Sequence, residues 1–165
     1  MRKFEKISLE QFEKVISSNI GSIPNIEEVY NNIVIPQRKT KYSAGYDFHT
    51  PIAFSLLPNQ GVVLPTGIKV QMEEDEYLSV NIRSSLGIKY MIALLNSVGI
   101  VDSDYFDNKS NEGHIMIALW NRHPHNGIGF QAGDAIAQGI FQKYYITDDD
   151  NVTSEREGGI GSTGK

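Results

Sequence analysis

Between residues 77 and 83, "YLSVNIR", apolar and polar positions alternate strictly: Leu78, Val80 and Ile82 point one way, Ser79 and Asn81 the other. A period of two predicts a half-buried strand. In "HIMIALW", residues 114–120, both faces are apolar, with Ile115, Ile117 and Leu119 opposing Met116, Ala118 and Trp120. Such a strand must be covered on both sides, by a second sheet or by another subunit. With these two, over 77–83 and 113–121, short β-like runs broken by Gly, Pro, Asn and Asp fall at 45–48, 52–57, 61–71, 92–95, 98–101 and 135–146. Many short strands at this spacing predict an all-β sandwich or barrel. The beginning of the chain reads differently. Leu9, Phe12, Val15 and Ile16 form one apolar stripe at helical spacing over residues 8–19. Ser8 and Gln11 fit a capping box, with Ile7 and Phe12 at the staple positions. "PNIEEVYNN" at 24–32 suits a second short helix. The pattern divides the chain into a helical extension (1–33), a β domain (34–147) and a linker with a glycine-rich tail (148–165).

Composition narrows the partners. The chain has 165 residues, no cysteine and a formal net charge of −5. Disulfides and thiolate metal sites are excluded, which fits a cytoplasmic protein. No long basic run marks nucleic-acid binding. No apolar stretch approaches the length of a membrane span, and the N-terminus lacks the apolar run of a signal peptide. An anionic ligand would therefore need local arginines, backbone N–H groups or a metal. His123 and His125 lie in a turn, "NRHPHNG", with no third ligand in view. "EEDE" at 73–76 and "TDDDN" at 147–151 read as a solvated turn and a mobile linker.

Several stretches are too particular to be simple turns. "RSSLG" (83–87) follows the alternating strand, so Ser84 and Ser85 can open a helix whose N–H groups face an anion, with the planar fork of Arg83 beside them. The plainer reading is a capping serine next to a surface arginine. In "NSVGIVDSDY" (96–105), Asn and Gly between two apolar runs suggest a hairpin. Asp102 and Asp104, two apart in an extended chain, share a side; Asp104 reads as a turn carboxylate. Tyr105 is either a core aromatic or a ligand platform. "GGIGSTGK" (158–165) imitates a Walker A loop, but no Ser or Thr and no helix follow Lys165, so no Walker site is expected.

Taken in order, "AGYDF" (44–48), "RSSLG", "NSVGIVDSDY", "GDAIAQGIF" (133–141) and "REGGIGSTGK" (156–165) resemble the five motifs of the trimeric dUTPases, across residues 43–165. The resemblance implies a jelly-roll-like β-clip barrel. It also implies a homotrimer with three active sites shared between subunits, and Mg2+-dependent hydrolysis of dUTP to dUMP and pyrophosphate. Asp102 matches the carboxylate that activates the attacking water. Arg83, Ser84, Ser85 and Gln138 match phosphate-binding positions, and Asn96, Gly99 and Val101 those around uracil and deoxyribose. Tyr105 matches the ring that packs on the deoxyribose and rejects a 2′-hydroxyl. Asp47 belongs to the network around the magnesium waters; the ion itself is held mainly by the triphosphate and water, with no direct protein ligand. Arg156, Ser162 and Thr163 match contacts to the γ-phosphate, and Gly161 lets the tail backbone approach. Three positions depart from the family pattern. Ile160 stands where a phenylalanine usually stacks on uracil, Ala135 where many relatives carry arginine, and Arg156 lies one residue nearer the glycine pair, with Glu155 in its usual place. The dCTP deaminases share the fold and the Arg-Ser-Ser signature but use a downstream catalytic glutamate that has no counterpart here. A non-catalytic nucleotide-binding regulatory module is a third possibility, opposed by the intact Asp102.

Overall fold

Residues 1–154, 156, 158 and 159 are described by a computed structural model; the tail positions Ile160, Gly161, Ser162 and Thr163, singled out above, lie outside the described residues. The first surprise is at the start of the chain, where β1 (Lys3–Lys6) precedes helices α1 (Leu9–Asn19) and α2 (Ile26–Asn31). There follow β2 (Tyr46–His49), β3 (Phe54–Leu56), β4 (Gly61–Pro65), β5 (Ile68–Gln71) and β6 (Glu76–Asn81). Helix α3 (Ser84–Tyr90) leads into β7 (Ile92–Leu94) and β8 (Gly99–Asp102), and a 3-10 turn (Ser103–Tyr105) closes that segment. The last strands are β9 (Met116–Asn121), β10 (Ile128–Phe130) and β11 (Ala135–Lys143).

All pairings between these strands are antiparallel. The largest sheet runs β2-β11-β6-β8; β4-β9-β7 form a second, and β1-β5 and β10-β3 two ribbons. The architecture is all-β, as the strand spacing predicts, and jelly-roll-like, as the resemblance implies, although among the described residues the ladders do not close into a barrel. Its core gathers Phe48, Leu56, Leu64, Leu78, Ile117, Leu119 and Ile136, none more than 1% exposed. In β6 the predicted alternation is blurred: Ser79 is buried with Leu78 and Val80, its hydroxyl accepting from Asn81 Nδ2 at 2.9 Å. In β9, Ile117 and Leu119 enter the core, while Met116, Ala118 and Trp120 are half-buried on the other face.

The extension is built into this core. Ile7, Phe12 and Ile16 are buried with the sheet residues. Ser8 caps α1 by accepting the Gln11 amide at 3.1 Å. Only half of the predicted box forms, because the Ser8 amide donates instead to Glu112 at 2.8 Å. Arg2 clamps the buried Glu76 with its Nε at 2.8 Å and Nη2 at 2.5 Å, and that contact holds the Glu76 carboxyl below its ordinary range. The run 61–71 is two strands, split where Gly67 turns at φ +72° and donates its amide to Nε2 of His114 at 2.9 Å.

His114 is fully buried, and burial pushes its pKa down from 6.5 to about 4, with Glu112 pulling weakly the other way. The unfolded chain thus takes up a proton near pH 6.5 that the folded chain refuses until about pH 4. Stability is fully present above pH 6.5 and falls as the pH drops through that window, by up to roughly 3 kcal/mol. Melting curves across the window are expected to fall more steeply for the wild type than for His114→Gln, which keeps an acceptor for the Gly67 amide but cannot titrate.

Candidate active site

One cleft of about 270 Å³ opens between β8, the 3-10 turn and β9, and Asn96, Gly99, Val101, Asp102, Tyr105 and Arg156 all line it. The hairpin expected around Asn96 is not a ladder. Strand β7 pairs with β9 while β8 pairs with β6, so the turn at Asn96–Val98 crosses from one sheet to another. Ser97 takes a left-handed conformation, φ +62°, to make that turn. The crossing leaves residues 96–98 exposed between two sheets, with the Ser97 and Val98 amides closing the turn onto the Leu94 and Asn96 carbonyls.

Asp102 ends β8 with extended backbone, and its side chain is 53% exposed at the lip of the cleft. Asp104 lies in the following turn, as a turn carboxylate should. Both carboxylates grip Arg156, whose Nη2 lies 2.6 Å from Asp102 Oδ2 and whose Nε lies 2.7 Å from Asp104 Oδ1. The same guanidinium sits over the Tyr105 ring, 5.6 Å from its centroid. Arg156 thus touches the nucleoside half of the predicted residue set. Burial pushes the Tyr105 phenol up, so its hydroxyl stays a hydrogen-bond donor.

The predicted phosphate-binding residues form a second group. Asp47 on β2 faces Gln138 on β11, which faces Asn81 on β6. Arg83 leaves β6 and reaches back, its Nε 3.2 Å from Asp47 Oδ1 and its Nη1 3.3 Å from the carbonyl of Ala135. The carboxylate partner of Arg83 is therefore Asp47, while Asp134 accepts the Gln131 amide at 2.7 Å and shapes its own turn. Gly45 makes room for Gln138, since a Cβ there would collide with the Gln138 amide. Ser84 and Ser85 open α3, Ser84 exposed to solvent. Pocket residues Arg83, Ala135 and Asp134 line a separate, open depression with Tyr90 and Phe130.

A metal would find no cage of its own here: no cluster of three or more His, Cys, Asp or Glu side chains suited to an ion occurs among the described residues. Oδ2 of Asp47, however, is buried without a hydrogen-bond partner. An orphaned carboxylate oxygen fits a metal-bound water better than it fits a finished structural ion pair.

Sequence reasoning passed over one element that touches the cleft. The stretch 107–113, "DNKSNEG", reads as a string of turn formers, yet Asn111 Nδ2 reaches the Tyr105 hydroxyl at 2.7 Å. Two asparagines three and six positions after a candidate ligand-packing tyrosine were the available signal.

The chain is similar to known proteins over most of its length. The family model described as dUTPase matches residues 31–164. The deoxyuridine 5'-triphosphate nucleotidohydrolase of Lactococcus lactis subsp. lactis is 38% identical over 134 residues, 80% of this chain and 89% of the relative. The enzyme of the same name from Actinobacillus pleuropneumoniae serotype 5b is 36% identical over 160 residues, 92% of this chain and 95% of the relative. The crystal structure of dUTPase from Streptococcus mutans superposes with a TM-score of 0.67 at 30% identity, covering 88% of this chain and 98% of its own.

Proposed function

This chain belongs to the dUTPase family, and on that premise we propose that it hydrolyses dUTP to dUMP and pyrophosphate at sites shared between three copies of the chain. It is a hydrolase. Asp102 is the general base that draws a proton from the attacking water; Asn96, Gly99 and Val101 hold the nucleoside, and the Tyr105 ring packs on the deoxyribose. Arg83, Ser84, Ser85 and Gln138 bind phosphate oxygens, the guanidinium forming the paired contacts to which it is suited. Substrate entry requires Arg156 to exchange Asp102 and Asp104 for phosphate, which releases the base at the moment it is needed. Mg2+, carried on the triphosphate, would neutralise charge developing on the phosphate oxygens; Asp47 would hold one of its waters through the free Oδ2.

The observation that carries the shared site is the distance between the two groups. Asp102 stands opposite Tyr77 on β6, whereas Arg83 lies six positions further along the same extended segment. At the rise of a strand that separation is about 20 Å. A general base must lie within hydrogen-bond reach of the water it activates, and a triphosphate is too short to bridge such a gap. That separation supports a site in which Asp102 of one copy works with Arg83 of another. The half-buried outer face of β9, Met116, Ala118 and Trp120, is surface that such an assembly would cover.

Incubation with dUTP, dCTP and UTP in the presence of magnesium, with products resolved by chromatography, tests the reaction. The expected product is dUMP, formed efficiently from dUTP alone; dUTP appearing from dCTP would replace the proposal with deamination, and binding without turnover would replace it with a regulatory role. Sharing is tested by co-refolding Asp102→Asn with Arg83→Ala. Random assortment into symmetric oligomers leaves about one quarter of the sites with both residues intact, so the mixture is expected to regain about that share of activity. A mixture as inactive as its components would place the whole site within one chain.

A further inference from the structure

The loop after Tyr105 is built too tightly for a spacer. Asn111 Nδ2 donates to the Tyr105 hydroxyl at 2.7 Å, and that hydroxyl donates to the His114 carbonyl at 3.0 Å. The orientation of the Asn111 amide is fixed by its other end, where Oδ1 accepts from Asn108 Nδ2 at 2.7 Å and from the Gly113 amide at 3.1 Å. Asn108 closes the ring of contacts. Its Nδ2 also reaches the Tyr105 carbonyl at 2.8 Å, and its Oδ1 accepts from the Ser110 hydroxyl at 2.8 Å and the Asn111 amide at 3.2 Å.

The backbone is bent to serve this arrangement. Asp107, Glu112 and Gly113 are all left-handed, at φ +52°, +58° and +78°. A Cβ on Gly113 would come within 2.6 Å of the Tyr105 carbonyl, so no other residue closes the loop there. From outside, Glu112 is pinned to the extension by the Ser8 amide at 2.8 Å and the Ser8 hydroxyl at 2.5 Å. The tail rests on the same loop, with Gly159 so close that a Cβ there would lie 2.8 Å from Ser110 Oγ and 3.0 Å from Asn111 Nδ2.

A ring that rejects ribose by contact is useful only if it cannot yield. A tyrosine has two side-chain torsions, and a tether at the hydroxyl removes the tilt that would let a 2′-oxygen in. We propose that Asn111 is the positioning residue that holds the Tyr105 ring, and so sets the discrimination between deoxyribose and ribose nucleotides. The inference rests on the reading of Tyr105 as the surface against the sugar. It also gives the N-terminal extension a role at the site, as the outer anchor of the loop.

The test uses the full chain, with kcat and KM measured on dUTP and UTP. Losing one such hydrogen bond is expected to lower the ratio of kcat/KM on dUTP to that on UTP about 3- to 10-fold in Asn111→Ala. The change should appear mainly as a lower KM for UTP, the nucleotide that the held ring keeps out. Tyr105→Phe, which removes only the hydroxyl, should give the same fall, and the double variant no further fall. Asn111→Asp, which can accept from the phenol only by taking the hydrogen bond now made to the His114 carbonyl, should restore part of the ratio. Equal losses on both nucleotides, or an unchanged ratio, in Asn111→Ala and Tyr105→Phe would overturn the proposal. Tyr105→Phe and Asn111→Asp keep the test decisive if Asn111→Ala does not fold. A wild-type protein indifferent to the sugar would overturn the parent reading along with it.

Discussion

Asp102→Asn is expected to lower kcat on dUTP by about 10²–10⁴-fold, the usual contribution of a positioned general base, with nucleotide affinity close to wild type. The substitution isolates the chemistry. The Asp102 side chain is 53% exposed, so its amide analogue keeps the shape of the site and removes only the proton acceptor. It can still accept from Arg156 through its remaining oxygen, so the tail keeps a partner. Single-turnover kinetics on dUTP, titration with a non-hydrolysable dUTP analogue and a melting curve separate the possibilities. Unchanged turnover would take Asp102 out of the reaction; weakened binding with normal turnover would make it a ligand contact instead.

Deleting residues 156–165 is the second large change. Arg156 then no longer bridges Asp102 and Asp104, and Gly159 no longer rests on Ser110 and Asn111. No fully buried apolar side chain of the core follows Ala137 among the described residues, so stability should hardly move. The expected result is a fall in kcat/KM on the order of 10²-fold, the scale lost when a closing element no longer fixes substrate geometry. The melting temperature should shift by less than about 3 °C, the equivalent of under about 1 kcal/mol for a chain of this size. Retained activity would leave the tail without a function. A collapse in melting temperature would make it a structural strap.

What could be read from the residues follows the range of the interactions involved. The capping serine and the apolar pair Ile7 and Phe12 are local, and the structure contains both, whereas the alternation in "YLSVNIR" survives as a strand with Ser79 buried beside Leu78 and Val80. Strand β1, "KFEK", is short and mostly charged, so nothing in its own pattern announces a strand; it exists because β5 offers an edge. Strand β10, "IGF", carries a central glycine and is likewise made by its partner β3. The hairpin inferred around Asn96 failed for a related reason, since a turn signal does not say which sheets its two arms will join. At the site, the individual motifs were legible, as was Asp104 after β8. Two features were not. The separation of Asp102 from Arg83 is a matter of register along β6, and the grip of Asn111 on Tyr105 depends on a loop whose residues look like ordinary turn formers.

The central sheet carries a consequence for how this chain reaches its fold. Strand β11 lies between β2 and β6, so residues 135–143 separate two strands that were made far earlier in the chain. Neither neighbour can complete its ladder until Lys143 has left the ribosome. The earlier strands wait as unpaired edges, and non-local pairing of this kind places refolding in the slower, millisecond-to-second range. A chain cut before β11 leaves β2 and β6 without the strand that joins them, whereas one cut after Ser154 keeps that ladder whole.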